Sequence, residues 1–255
     1  KNFGVASLAT CIAALAAVPY IAIQLKAISG SFDLFTRHLG GTSMGGEFVI
    51  ADFSFLVAAA LGLFAVLFGT RHADATEHQN GLILAVAVES IVKLTAFLAV
   101  GISVTFVYFG SPADFFSVNQ NNPSVAAALS YQTPISTWLV LILLSGFAII
   151  LLPRQFHVMI VENRDDREMR TAAWLFPLYL VAINLFVLPI AMAGHLHLPA
   201  GTPADLFVLA LPLTAGADWL SLLVFIGGLS AATAMVIVAS VALSIMISND
   251  LVLPL

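Results

Sequence analysis

The chain has 255 residues, of which 60% are hydrophobic and only 9% are charged, whereas about 25% of the residues in a soluble globular domain are charged. This composition excludes a soluble globule and predicts a polytopic membrane protein surrounded by the lipid bilayer. The formal net charge of −5 argues against nucleic acid as a partner, because nucleic-acid-binding surfaces are basic.

Six apolar segments reach or approach the length that crosses a bilayer as a helix. They lack the two-residue alternation of a barrel strand, so we predict an all-α helical bundle that forms a single membrane domain over residues 1–255. The chain has no initiator methionine and stops directly after the last segment, which predicts an internal piece of a longer protein. The predicted spans are 3–29, 53–70, 81–109, 136–160, 171–194 and 217–247.

Basic residues predict the orientation of these spans. If the six spans alternate, five basic residues fall on one side of the membrane and one falls in the connections on the other side. Because cytoplasmic loops carry an excess of Lys and Arg, we predict that the side with five is cytoplasmic. The five residues are Lys1, Arg71, Arg164, Arg167 and Arg170, and the single residue opposite is Arg37.

In the first span, Pro19 and Tyr20 are predicted to interrupt the helix. A proline inside a transmembrane helix leaves a carbonyl without its usual donor, and such breaks often line a cavity. Gln24 is therefore a candidate to face a substrate, whereas Lys26 is predicted to extend toward the outer headgroups.

The third span carries Glu89 and Lys93 deep inside an apolar run. Residues four apart share one face of a helix, and an acid N-terminal to a base is the favoured orientation of such a pair. A charge at this depth is costly unless it is paired or faces a cavity. Two interpretations stay open: a structural salt bridge, or a site that senses or moves a cation or proton.

The fourth and sixth spans carry further polar candidates. Ser145 and Gly146 lie in the middle of the fourth span, and Pro153 and Gln155 lie near its cytoplasmic end. These residues predict either a discontinuous helix that binds substrate or a kink without function. Small residues at 227–235 in the sixth span predict close helix packing, with hydroxyls that bond to helix carbonyls or to a ligand.

Histidines occur in two clusters, but neither has the spacing of a known metal site. One cluster is the cytoplasmic turn 72–78, which also holds Glu77. The other is His195 and His197, which would point the same way on an extended loop at the outer end of the fifth span. No catalytic triad or nucleotide fingerprint is present either, so we predict no enzyme, no metal and no organic cofactor.

Four segments together resemble the sodium/solute symporter family, and most closely the symporter-like membrane module at the N-terminus of bacterial hybrid sensor histidine kinases. The resemblance follows the chain in order over nearly its whole length. The segments are Pro19 to Lys26, Phe68 to His72 with Thr76 and Glu77, Leu152 to His157, and Trp174 to Leu180.

The resemblance implies a LeuT-type fold of two inverted repeats, of which this chain would supply core helices three to eight. It also implies a bacterial cytoplasmic membrane protein that transports or senses a small polar nutrient, most simply an amino acid, with Na⁺ or H⁺ as the coupling ion. The partners would be the remaining core helices and a kinase region of the same full-length protein. A signalling or structural anchor that no longer transports is the alternative.

The resemblance also assigns residues. Glu77 stands where the family has Asp at the start of the fifth core helix, and Gln155 stands in the family's Gln-Pro-His segment. Ala234 and Met235 stand where the family places sodium-binding hydroxyls, unless Ser230 or Thr233 takes that role by a shift of register. We therefore expect Lys93, balanced by Glu89, to act as a built-in cation. The candidate substrate-binding residues are Tyr20, Gln24, Ser145, Gly146 and Gln155, and the candidate coupling residues are Glu77, Glu89, Lys93, Ser230 and Thr233.

Overall fold

The computed structural model describes residues 3–40, 53–68, 80–111, 130, 132–163 and 165–254. Every regular element in this part of the chain is a helix, so the predicted all-helical fold is confirmed. The α-helices are α1 Phe3–His38, α2 Phe53–Phe68, α3 Asn80–Tyr108, α4 Ile135–Leu151, α5 Pro153–Phe156, α6 Asp166–Asn184, α7 Val187–His197, α8 Phe207–Thr214 and α9 Asp218–Ile247. The π-helix His157–Val161 follows α5, the 3₁₀ turn Ala204–Leu206 precedes α8, and the π-helix Ser248–Val252 follows α9.

Four helical stretches of the described residues are long and apolar enough to cross a membrane, and a fifth joins them if the bent pair of α4 and α5 counts as one span. This is consistent with a multi-pass membrane protein. Helix α1 is longer than predicted, because its 36 residues extend for about 54 Å at 1.5 Å per residue. The described part of α2 has 16 residues, or about 24 Å, whereas the hydrocarbon layer is ~30 Å thick.

Helix α9 organises the bundle, since it packs against α1, α2, α3, α5 and α8. The main buried cluster lies where the second half of α3 meets α7, α8 and the start of α9. Val100 and Leu211 are fully buried at its centre. By contrast, α4 has no buried residue, so its apolar side chains lie on the outer surface of the described bundle.

Close packing of α9 on α3 depends on Gly227, as predicted for the small residues of the last span. A methyl group at Gly227 would lie 3.0 Å from Cβ of Ala96 and 3.8 Å from Cα of Lys93. The missing side chain therefore lets α9 approach α3 beside the predicted coupling residue.

We expect Gly227→Leu to lower the free energy of unfolding by about 1 to 3 kcal/mol, because the larger side chain must push α9 away from α3. Thermal unfolding of the full-length protein in detergent measures this change. Gly228→Leu is the matched control, since nothing lies within 4 Å of a methyl group at that position. Equal stability of the two variants would contradict the close approach.

The structure corrects the predicted break in the first span. Helix α1 continues through Pro19 without interruption. Prolines are tolerated inside transmembrane helices when neighbouring groups or small local adjustments satisfy the freed carbonyl. The broken backbone that was expected to bring Gln24 to a substrate is therefore absent from α1.

The discontinuity in the fourth span is real, but it lies later in the chain than Ser145 and Gly146. Helix α4 runs through both residues, and the chain bends by 56° between α4 and the stretch Pro153–Val161. Leu152 has φ −71° and ψ 122°, the extended conformation that a following proline imposes. One glycine inside a helix costs only about 1 kcal/mol, which is not enough to break it.

The two histidines at the end of the fifth span lie in the last turn of α7, not on an extended loop. His195 packs edge-on against Phe207, with ring centres 5.3 Å apart, and His197 lies against Tyr108 at 4.5 Å. No group of three or more metal-ligating side chains occurs among the described residues. The other predicted cluster, at 72–78, lies outside them.

Candidate functional site

A cavity of about 530 Å³ lies between α3, α5 with its π-helix, α6 and α9. Its volume is in the range of about 300 to 1,000 Å³ that is typical of small-molecule sites. We call it the Lys93 cavity. Most of its lining is apolar, and its polar side chains are Glu89, Ser90, Lys93, Arg154, Gln155 and Tyr179.

Glu89 and Lys93 form an ion pair on one face of α3, with 3.8 Å between Lys93 Nζ and Glu89 Oε1. The Glu89 side chain is 7% exposed and that of Lys93 is 25% exposed. The separation is longer than the usual 2.7 to about 3.2 Å of a direct N–H···O hydrogen bond. Both groups therefore attract each other while retaining hydrogen-bonding capacity for a ligand in the cavity.

Arg154 comes from the first turn of α5, directly after the bend at Leu152 and Pro153. Its Nη1 donates a hydrogen bond to the Tyr20 hydroxyl, and its Cζ lies 5.0 Å from the centre of the Tyr20 ring. Tyr20 thus fixes Arg154 from the α1 side. Arg154 also lines a second cavity, of about 510 Å³, that is bordered by α1, α5 and α9.

Tyr179 brings a phenol to the Lys93 cavity from α6. Its hydroxyl oxygen is buried and has no hydrogen-bond partner among the described residues. A buried tyrosine hydroxyl normally has a partner, because leaving such a group unsatisfied costs free energy. The hydroxyl is therefore available to a bound molecule.

The structure brings together three of the predicted site residues, Glu89, Lys93 and Gln155, which all line the Lys93 cavity. Tyr20 does not line it, but it contacts Arg154, which does. Gln24 is half-buried and lines neither cavity, whereas Ser145 and Gly146 are exposed on α4. Glu77 lies outside the described residues.

The two hydroxyls predicted for coupling in the last span do not line either cavity. The Thr233 hydroxyl instead donates to the Ser230 carbonyl at 2.9 Å, the helix-bonding alternative that the sequence left open. Ala234 and Met235 line the Lys93 cavity in their place. Lys93 therefore lines the same cavity as the two positions at which the resemblance expects sodium-binding hydroxyls.

Sequence reasoning did not assign Arg154 and Tyr179 to the site, although both lie within segments that carry the resemblance. Arg154 is the more visible omission, because an arginine beside a proline in a membrane span is a functional candidate by default. Tyr179 has no such signal, since its significance depends on an unpartnered hydroxyl that only the packing reveals.

A second polar contact, which was not predicted from the sequence, connects the two ends of the described chain. The Thr10 hydroxyl, which is fully buried, donates to Asp250 Oδ2 at 3.2 Å. The Ser7 hydroxyl donates to the Asp250 carbonyl at 2.7 Å. These bonds connect α1 to the π-helix that ends α9, on a different part of the bundle from Tyr179.

The fold and the cavity define a class: an all-helical chain with several membrane-length helices around a mostly apolar cavity that holds charged side chains. Compared with family models, with curated proteins and with solved structures, the chain matches none of them.

Proposed function

We propose that the chain is a secondary-transporter-like membrane domain that binds a small polar solute in the Lys93 cavity and couples binding to a cation, H⁺ or Na⁺. The observation that carries the proposal is the cavity itself, which combines a buried ion pair, Arg154 and Gln155 at the break of a membrane span. Backbone breaks of this kind are where transporters place substrate sites.

The proposed fold is a partial LeuT-type bundle in a bacterial cytoplasmic membrane. The resemblance makes the fourth span the sixth core helix, which is broken in this fold, and makes the first and last spans counterparts in the two inverted repeats. The bend between α4 and α5 and the packing of α1 on α9 support this proposal. On the same resemblance, the solute is an amino acid, and the domain serves as the sensing or transport module of a histidine kinase.

Lys93 is the proposed coupling residue. Its ammonium group lies beside Glu89, and Lys93 shares the cavity with Ala234 and Met235, whose side chains offer no oxygen to a hard cation. Hard cations bind oxygen ligands, so a fixed lysine charge replaces a bound metal ion in this proposal. The charge of Lys93, with Glu89 as counter-charge, is then linked to solute binding.

Uptake of a mixture of radiolabelled amino acids by proteoliposomes that contain the full-length protein tests this function. We expect uptake that persists without sodium, increases with an inward proton gradient and is lost in Lys93→Met. Lys26→Met is the matched control, because Lys26 is an exposed lysine on α1. Uptake that requires sodium and survives Lys93→Met would rule out the coupling role.

A transport-inactive signalling or structural anchor is the second candidate. The observation that favours it is the apolar lining at Ala234 and Met235, the two positions at which the resemblance expects sodium-binding hydroxyls. Equilibrium binding of an amino acid without any uptake under either gradient would support this candidate over transport.

A further inference from the structure

The geometry points to the Lys93 cavity as a site for the carboxylate of a small solute, held by Arg154, Lys93 and the Tyr179 hydroxyl. The inference deepens the proposed function and rests on it for the statement that this cavity binds a solute. It adds the chemical class of the group that is recognised, an anion, and the side chains that recognise it.

The described lining of the Lys93 cavity carries a net positive charge. Among the described residues that line the cavity, two carry a positive charge, Lys93 and Arg154, and one carries a negative charge, Glu89. Glu89 pairs with Lys93 and also attracts Arg154, so the lining as a whole carries one positive charge in excess. In an apolar cavity an uncompensated charge is costly, and an anionic ligand supplies the missing partner.

The guanidinium of Arg154 has N–H donors available for a ligand. Within the described part of the chain, Arg154 donates to one group only, the neutral hydroxyl of Tyr20. A guanidinium carries five N–H donors in a planar fork that matches a carboxylate. The remaining donors of Arg154 are therefore free to bind both oxygens of a carboxylate, while Tyr20 restricts the rotation of the side chain.

The unpartnered phenol of Tyr179 is an independent observation that points to a bound ligand. The Tyr179 hydroxyl is buried in the wall of the same cavity and lacks a hydrogen-bond partner among the described residues. A phenol donates one hydrogen bond, and it donates most strongly to a charged acceptor. A carboxylate between Arg154 and Tyr179 would satisfy both groups at once.

The ion pair of Glu89 with Lys93 makes the cavity unfavourable for a ligand that is only a cation. A cationic ligand would have to approach a carboxylate that already has Lys93 as its counter-charge, and it would meet Arg154 as a second like charge. The cavity therefore favours a ligand with a carboxylate over one that carries only an ammonium group.

Calorimetric titration of the full-length protein in detergent with four matched ligands tests the inference. Pentanoate carries only the carboxylate, L-norvaline adds an ammonium group to the same carbon chain, pentanamide is neutral, and pentylamine is a cation. We expect saturable binding of pentanoate and L-norvaline, and binding of pentanamide and pentylamine that is weaker by ~10-fold or more. Preferential binding of pentylamine, abolished by Glu89→Gln, would overturn the inference and indicate a cation site.

Substitutions of Arg154 and Tyr179 test the two proposed contacts with the carboxylate separately. Arg154→Gln is expected to weaken pentanoate binding by ~10-fold or more, and Arg154→Lys, which keeps the charge but loses the fork, to weaken it less. Tyr179→Phe is expected to weaken binding several-fold while the unfolding temperature rises or stays the same, because the variant removes an unpartnered buried hydroxyl. Lys26→Gln serves as the control and leaves binding unchanged.

If Arg154→Gln fails to fold, the Tyr179→Phe comparison decides the question, since a purely structural role for Tyr179 predicts unchanged binding. Equal affinity for pentanoate in wild type and Tyr179→Phe would overturn the proposed contact. Failure of the proposed function looks different: pentanoate binds but no solute is taken up. Conversely, amino-acid uptake that is insensitive to Arg154→Lys and to excess pentanoate would leave transport standing and overturn the carboxylate site.

Discussion

Glu89→Gln is expected to lower the free energy of unfolding of the full-length protein by about 3 to 5 kcal/mol, because it removes one partner of a buried ion pair. The Glu89 side chain is 7% exposed and lies 3.8 Å from the Lys93 ammonium. Without its carboxylate, the cavity retains two positive charges, on Lys93 and Arg154, in apolar surroundings. Thermal or detergent-induced unfolding, followed by intrinsic tryptophan fluorescence, measures the loss.

A double variant distinguishes the effect of losing the ion pair from the general effect of substituting Glu89. Glu89→Gln combined with Lys93→Met is expected to be more stable than Glu89→Gln alone, because the remaining unpaired ammonium has also been removed. Asp33→Asn is the matched control. Asp33 and Arg37 have the same four-residue spacing on α1 and lie 2.9 Å apart, but their side chains are 37% and 62% exposed.

We expect Asp33→Asn to change stability by about 0.5 kcal/mol or less, as is usual for exposed helical ion pairs. If Asp33→Asn and Glu89→Gln destabilise the protein equally, burial is not what makes the Glu89 pair important. In that case, the structural interpretation of the pair would be wrong.

Thr10→Val is expected to cost about 1.5 to 3 kcal/mol, the range for a hydrogen bond to a charged group. The substitution keeps the shape of a fully buried side chain but removes the hydroxyl that donates to Asp250. Hydrogen exchange of the backbone amides in Ser248–Val252 should increase, since this bond connects that π-helix to α1. Loss of stability without faster exchange there would indicate that the π-helix is held by other contacts.

Thr95→Val is the control for Thr10→Val. The Thr95 hydroxyl donates to the Ile91 carbonyl of its own helix at 2.8 Å and is exposed. Its removal breaks no contact between helices, and exposed substitutions of this kind usually change stability by less than about 0.5 kcal/mol. A similar loss in both variants would show that the effect is not specific to the contact between α1 and the end of α9.

The helical architecture was predictable because apolar length is a strong signal in a membrane chain. The acid–base pair on α3 was predictable for the same reason, since Glu89 and Lys93 are conspicuous in an apolar run. Helix ends were less predictable: α1 extends to His38, well beyond the predicted 29, because the polar residues that follow continue the helix and include the Asp33–Arg37 pair at four-residue spacing. Local propensity sets such boundaries only weakly.

The positions of the breaks were harder to predict, because a proline has different consequences at different places. Pro19 lies within a continuous helix, whereas Pro153 begins a new one after an extended residue. Sequence alone does not show which neighbours satisfy the freed carbonyl of Pro19. Arg154 and Tyr179 belong to the site through packing between α5, α6 and α1, which a sequence pattern within one helix does not report.

The packing of α1 has a consequence for how the protein is made. Only two of the residues of α1, Thr10 and Ile28, are buried, and its most extensive packing is against α9, the described α-helix that lies farthest from it in the sequence. Thr10 and its partner Asp250 are 240 positions apart, which corresponds to roughly 10 to 50 s of translation at about 5 to 20 residues per second. During that interval the insertion machinery or the lipid must cover the face of α1 that α9 later buries.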